Sequence, residues 1–311
     1  MRLEGRGVSP GRAEGLALVS AKPMSFLGGV DPASGVVNDP AADIRGERVT
    51  GRVLAFPHGK GSTVGSYILY GLAKREQGPA AIVNERTEAI VATGAILGGI
   101  PLVDGIEVSV LVAGDRVIVD GDSGTVELPE VTLKPVVTAF LRNRGRVLIV
   151  KRSERVGTFR GRWSGISGFL EGAELPLRRA RQEVREETGV RAAKLVARGP
   201  VIHTRHESVV FAIHPFLFDV PSRRVTLDWE NVEARWVGPQ DIAEYPTVPR
   251  LADVLASVWT GPTIEGRRPG RPPARGGAAG ARRGPRGSRR TGGSRRASRP
   301  GRGGPGRAAA R

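Results

Sequence analysis

Short apolar runs set between polar breaks organise the first 128 residues. GLALVS (15–20), GRVLAFP (51–57), AAIVNE (80–85) and DRVIVDG (115–121) read as strands. Two stretches with helical spacing, around 64–74 and 87–97, lie among them. The longest uncharged stretch, AIVATGAILGGIPLV (89–103), falls short of the ~18 residues a membrane span needs. Gly98, Gly99 and Pro101 make it a buried helix turning into a strand. After ELPEVT (127–132) the pattern restarts with a hairpin, VVTAFLRNRGRVLIVKR, whose turn is Asn143-Arg144-Gly145. A glycine-rich loop, a highly charged helix, strands near 209–218 and 234–237 and a closing helix around 248–258 follow. The expectation is an α/β chain of two domains, 1–128 and 132–260, with a tail at 262–311.

Composition narrows the chemistry. There is no cysteine, which excludes a disulfide, a thiolate nucleophile and a thiolate-ligated cluster within this chain. The N-terminal MRLEGRGVSP has no apolar signal core, so a cytoplasmic location without membrane attachment is expected. The net charge of +17 is unevenly spread: 15 of the 48 basic residues lie in 267–311, with no acid, leaving 33 basic against 31 acidic residues in the remainder. That tail lacks large apolar and aromatic residues, so it is expected to be disordered. Arginine without aromatic residues to stack on bases reads as a solvated tail rather than a nucleic-acid-binding one.

The charged helix gathers its acids closely. A start near Pro176 and an end at Gly189 put Glu183, Glu186 and Glu187 at i, i+3 and i+4, on one face, with Leu177, Ala180, Val184 and Thr188 toward the core. Like charges one turn apart disfavour a helix unless something positive sits on them. Arg179, Arg181 and Arg185 offer one answer, and a hard divalent cation, Mg²⁺ or Mn²⁺, the other.

The stretch from Gly168 to Val190 resembles the Nudix signature, G-x5-E-x7-R-E-U-x-E-E-x-G-U with U aliphatic. Gly168, Glu174, Glu183, Val184, Glu186, Glu187, Gly189 and Val190 match, and Gln182 stands where the family has arginine. The resemblance, extending over about 132–259, implies an α/β/α sandwich that hydrolyses a diphosphate linkage. It implies Glu183, Glu186 and Glu187 as metal ligands, catalytic roles for Glu186 and Glu187, Glu174 as orienting group, and a substrate-facing loop at Gly168. Which carboxylate acts as general base varies across that family. In the family the arginine at the Gln182 position holds the glutamates by ion pairing, so the departure bears on ligand geometry and rate. Arg152, Arg155 and Arg162 are candidates for phosphate contact, Arg152 foremost, and Trp163 or Phe169 for stacking. His203 and His206, three apart in HTRHES, read as a loop pair without a third ligand.

In the first domain FPHGKGSTVGSYILYGL (56–72) places glycines, a lysine and hydroxyls at a helix start. It is not a P-loop, since Leu54 and Gly61 stand where glycine and a hydroxyl residue are required. Ser62 or Thr63 is expected to cap the helix. Together with GGVDPASGVVND and GPAAIVNERTEAIVATGAILGGIPLVD, this segment resembles the swivelling small subunits of archaeal phosphomevalonate dehydratases, of the aconitase X family. The resemblance implies a β/β/α swivel fold in which Ser62 takes part in proton transfer. By the same resemblance, Gly59, Lys60, Gly61 and Thr63 are expected to shape its loop at the substrate, facing a large subunit that carries an iron–sulfur cluster.

The combined reading is a swivelling β/β/α domain, a Nudix domain and a basic tail, acting on small phosphorylated substrates of the mevalonate route to isoprenoids. A reading of another class stays open beside it: a nucleotide-sensing regulator with a docking swivel domain and a nucleic-acid-binding tail.

Overall fold

The solid apolar runs become the centre of the first of two sheets. The computed structural model describes residues 1–261, so the expectation for the tail lies outside the described residues. Strands β1 (Arg2–Glu4), β2 (Arg6–Ser9), β3 (Arg12–Val19), β4 (Val53–Phe56), β5 (Ala81–Asn84), β6 (Leu102–Asp104), β7 (Arg116–Asp120) and β8 (Thr125–Glu127) form a sheet in the order β1-β8-β7-β3-β4-β5-β6-β2. The β3-β4-β5-β6 centre is parallel. β4, β5 and β6 are buried at every position, covered on both faces, hence their unbroken apolar runs. Leu54, Phe56 and Ile82 pack with Leu69 and Leu72 of helix α1 (Gly65–Lys74) and Val91 and Ala95 of α2 (Ala89–Gly98). Val53, Ala55, Ala81 and Val83 face a second layer with Val108, Leu111, Val117 and Val126. α2 begins later than its pattern suggests because Thr87 is tied into the preceding loop, its N–H to Asp104 and its hydroxyl to Asn84.

The second sheet contains β9 (Thr132–Asn143), β10 (Arg146–Arg152), β11 (Trp163–Ser164), β12 (Ile166–Phe169), β13 (Lys194–Arg198), β14 (Ile202–His206), β15 (Val209–Asp219) and β16 (Asn231–Val237). β9 and β15 run parallel along eleven paired residues. Arg144 and Gly145, both with positive φ, make the tight turn into β10 that the hairpin pattern requires. α3 (Pro176–Thr188) covers one face through Ala180 and Val184, against Val137, Ala139, Leu148 and Val150. α4 (Leu251–Ala256) covers the other, against Phe140, Val147 and Ile149. The closing helix is shorter than its pattern, since Arg250 turns left-handed just before it. β13 and β14 were not expected: KLVAR and IHTRH carry too many charged positions to read as strands.

Both sheets belong to one compact unit. Val210 of β15 joins the core of the first sheet, and Arg205 of β14 reaches across to Asp115 and the Val110 carbonyl of the first domain. No helix among the described residues is long and apolar enough to cross a membrane.

Candidate functional site

Two regions carry the candidate chemistry. The first is the loop between β4 and α1, at the carboxyl ends of the parallel strands. Its backbone is fastened to residue 24, with the Lys60 N–H donating to the Met24 carbonyl at 2.7 Å and the Met24 N–H to the His58 carbonyl at 3.1 Å. The Gly59 N–H donates to Glu88 Oε2 at 3.0 Å, and any Cβ there would overlap that carboxylate. Gly61 has φ +104°, a conformation that disfavours side chains. Lys60 Nζ lies 3.3 Å from Asp39.

Lys60, Gly61, Ser62 and Thr63 are exposed and Gly59 is buried. Neither expected residue caps α1 in the usual way. The N-cap position is Val64, without a side-chain cap; Ser62 Oγ instead accepts the Val64 N–H at 3.3 Å, and its carbonyl accepts the Gly65 N–H. Glu88 escaped sequence reasoning, since an acid at a helix start looks like an ordinary cap. Its Oε1 is buried without a hydrogen-bond partner, directly behind the Ser62 loop. Leu27, Val64 and Tyr67, the last 69% exposed, leave apolar surface beside that loop uncovered.

The second region is α3, which starts at Pro176 and ends in a left-handed Gly189. The expected common face of Glu183, Glu186 and Glu187 is split. A four-residue step returns to nearly the same side of a helix and a three-residue step falls short of it, so Glu183 and Glu187 are buried while Glu186 is exposed. Glu187 accepts the Ser167 N–H at 3.0 Å and Asn231 Nδ2 at 2.7 Å. Glu183 pairs with Arg179, and Gln182 donates to Glu186 at 3.0 Å. The ion pair that Gln182 cannot make is thus made from the preceding turn, to Glu183. Any Cβ on Gly168 would overlap the Glu183 carboxylate, so glycine is required there.

Burial pushes Glu183 up to about 7, against the pull of Arg179. Burial pushes Glu187 well above the usual carboxylate range, with Glu183 and Glu230 adding to it while Asn231 and Ser167 oppose. Glu230 is a third raised carboxyl, pushed up by burial and by Asp228, with Glu186 adding to it while Arg152 and Arg179 oppose. It lies 47 positions beyond Glu183 in sequence, on the loop before β16, and only the β10–β16 pairing brings it here. Among the described residues no three His, Cys, Asp or Glu side chains are gathered closely enough to enclose a metal ion. The donor set itself fits a hard divalent cation: two buried, mutually repelling carboxylates, a third exposed beside them, and a glycine cradle. Glu174 is half-buried in the turn before α3.

A pocket of about 90 Å³ adjoins this face, lined among others by Arg152, Phe159, Ser164, Phe169, Thr204 and Phe211. Ser164 Oγ is buried without a partner. Arg152 Nε donates to the Thr158 carbonyl at 3.1 Å. Of the two stacking candidates, Phe169 lines the pocket, 6.4 Å from Phe211, whereas Trp163 is buried against Tyr245. Arg155 lies over Trp229 instead. His203 and His206 sit on β14 rather than in a loop, on opposite faces, His203 beside Glu107 and His206 against Phe159.

Comparison with known proteins follows the same division. Residues 2–128 match the aconitase X swivel domain model and residues 132–258 the NUDIX domain model. The phosphomevalonate dehydratase small subunit of Pyrococcus furiosus is 60% identical over 128 residues, covering 41% of this chain and 96% of that protein. The holo-form crystal structure of Thermococcus kodakaraensis aconitase X is 55% identical, covering 42% of this chain and 99% of its own, with a TM-score of 0.41. The crystal structure of a MutT protein from Methanosarcina mazei Go1 is 26% identical, covering 41% and 93%, with a TM-score of 0.36.

Proposed function

This chain belongs, through its first 128 residues, to the phosphomevalonate dehydratase small-subunit family and carries a NUDIX domain behind them, and from that premise we propose a protein of two activities. The second domain hydrolyses a diphosphate linkage. The first is the small subunit of a phosphomevalonate dehydratase in the mevalonate route to isoprenoids, working in the cytoplasm.

The observation that carries the hydrolase reading is the buried pair Glu183 and Glu187 beside a pocket with Arg152 in its wall. Glu183, Glu186 and Glu187 would hold Mg²⁺ or Mn²⁺. Such a cation, when bound, supplies Lewis-acid polarisation of the diphosphate and offsets its developing charge. Ser167 and Asn231 fix the Glu187 carboxylate, Arg179 steadies Glu183, and Arg152 attracts the anionic substrate. Glu174 orients these groups, and the bare Gly168 backbone lets the substrate approach. The unpartnered Ser164 hydroxyl among Phe159, Phe169 and Phe211 suits a heteroaromatic base with hydrogen-bonding edges. A prenyl tail would leave that hydroxyl unpaired, so a nucleoside diphosphate derivative is the substrate class we assign.

For the first domain, identity of 60% over nearly the whole of a small subunit supports the dehydratase reading. Ser62 takes part in proton transfer, with Gly59, Lys60, Gly61 and Thr63 shaping the substrate side of the loop. A hydroxyl is a poor base alone, so the role needs a partner's groups around it. That partner is a large subunit carrying the iron–sulfur cluster, which this cysteine-free chain cannot ligate through thiolates.

A regulator is the second reading, favoured by one observation: both Glu187 oxygens are already engaged by protein donors. Phosphate release by the purified chain with Mg²⁺, across nucleoside diphosphate derivatives and isoprenoid diphosphates, separates the two. Metal-dependent turnover of the nucleotides, lost at least about 100-fold in Glu187→Gln, is expected. Nucleotide binding without turnover would turn the reading to the regulator.

A further inference from the structure

β14 has two faces with different neighbours. The strand period sends Ile202, Thr204 and His206 to one side and His203 and Arg205 to the other. Buried Thr204 lines the pocket, and His206 lies against Phe159, another lining residue, with ring centres 4.8 Å apart. His203 and Arg205 instead meet the first domain. Arg205 forks onto Asp115 at 2.8 and 2.9 Å and donates to the Val110 carbonyl at 2.9 Å. His203 Nδ1 lies 3.3 Å from Glu107 Oε2.

The other Glu107 oxygen takes Nη1 of Arg250, and that same Nη1 donates to the His203 carbonyl at 2.8 Å. Arg250 directly follows Val248 and Pro249, both in the pocket wall, and holds φ at 58°, a region that non-glycine residues seldom occupy. The Val248 N–H is in turn fastened to the Trp163 carbonyl at 2.9 Å. One carboxylate of the first domain therefore ties together β14 and residues 247–250, two segments that share a wall of the second domain's pocket.

We propose that Glu107 is a positioning residue for that pocket, holding this wall in its binding-competent arrangement across the domain boundary. The proposal rests on the hydrolase reading for its kinetic consequence. A wall fastened beforehand spares the substrate the cost of ordering it. The carboxylates of α3 stand on a different element, so releasing the wall weakens binding and leaves the chemical step in place.

The test uses the full chain with Glu107→Gln, which keeps the side chain's shape and removes its charge. Arg116→Ala, which breaks an exposed ion pair to Glu14 within the first domain, is the control. With the nucleotide substrate and Mg²⁺, Glu107→Gln is expected to raise KM about 5- to 10-fold while kcat stays within about 2-fold, and the control to change neither. Amide hydrogen exchange on the same proteins, without substrate, is expected to quicken several-fold at 202–206 and 246–250 and to hold in α3. Unchanged KM and unchanged exchange would overturn the proposal, as would exchange rising equally throughout the second domain. If wild-type chain turns over none of the substrates, the hydrolase reading falls, and exchange alone decides whether Glu107 holds the wall.

Discussion

Ser62 stands in solvent on a loop held by backbone hydrogen bonds, whereas Glu183 and Glu187 are buried on the inner side of a capped helix beside a pocket. Around Ser62 the described residues place one N–H on the hydroxyl and apolar surface at Leu27, Val64 and Tyr67. Around Glu187 they place Ser167, Asn231, Glu183 and Glu230, all from this chain. On the proposed function, the difference separates half a site from a whole one. A serine without activating neighbours, next to open apolar surface, needs a second protein for the role proposed for it. Buried carboxyls held by this chain's own donors need only a small ligand for theirs.

The largest effects should therefore separate cleanly. Ser62→Ala is expected to lower dehydration by the chain assembled with its large subunit at least about 100-fold, leaving diphosphate hydrolysis within about 2-fold. Glu187→Gln should do the reverse. Both activities measured on both variants decide it, and a joint loss in either would break the comparison by showing that the two regions act as one site.

An intermediate effect probes Arg179, which pairs with Glu183 where Gln182 supplies only a hydrogen bond to Glu186. Arg179→Ala leaves a buried carboxylate without its countercharge, which should cost roughly 2 kcal/mol of stability and about 10-fold in hydrolysis. Adding Gln182→Arg to that variant restores a cation on the next turn and is expected to recover most of the rate. Thermal melting and phosphate release together check this. A second substitution that recovers stability but no rate would confine Arg179 to holding the helix.

Much of the second site was legible because its information is local. Pro176 and Gly189 bound α3, the helical period orders Glu183, Val184 and Glu187, and the Asn143-Arg144-Gly145 turn fixes the hairpin ahead of it. What stayed hidden depends on chain topology. Glu230 reaches the carboxylates through the pairing of β10 with β16, and Glu88 reaches Gly59 through the order of the parallel strands. β14 was illegible for a related reason. IHTRH carries histidine and arginine at alternate positions because that face meets Glu107 and Asp115 of another domain rather than an apolar core. A strand at a polar domain boundary shows no apolar period, so its sequence reads as a loop.

That boundary offers the smallest and most selective test. Burial pushes the Glu107 carboxyl up, and hydrogen bonds from His203, Arg250 and Ser109 overcome this and hold it down to about 2. Arg250 also faces Asp253, which shares its charge. A carboxylate depressed on folding contributes stability that is present above its ordinary value of 4.5 and is lost as pH falls through about 2. The expected melting gap between wild type and Glu107→Gln is about 1 kcal/mol at pH 7, or roughly 2–4 °C, because the pair is partly exposed. The gap should narrow below pH 4.5 and close near pH 2. A gap that survives at pH 2 would assign the effect to shape rather than charge. No gap at pH 7 would mean that Arg205 and Asp115, with the shared apolar contact at Val210, hold the domains together unaided.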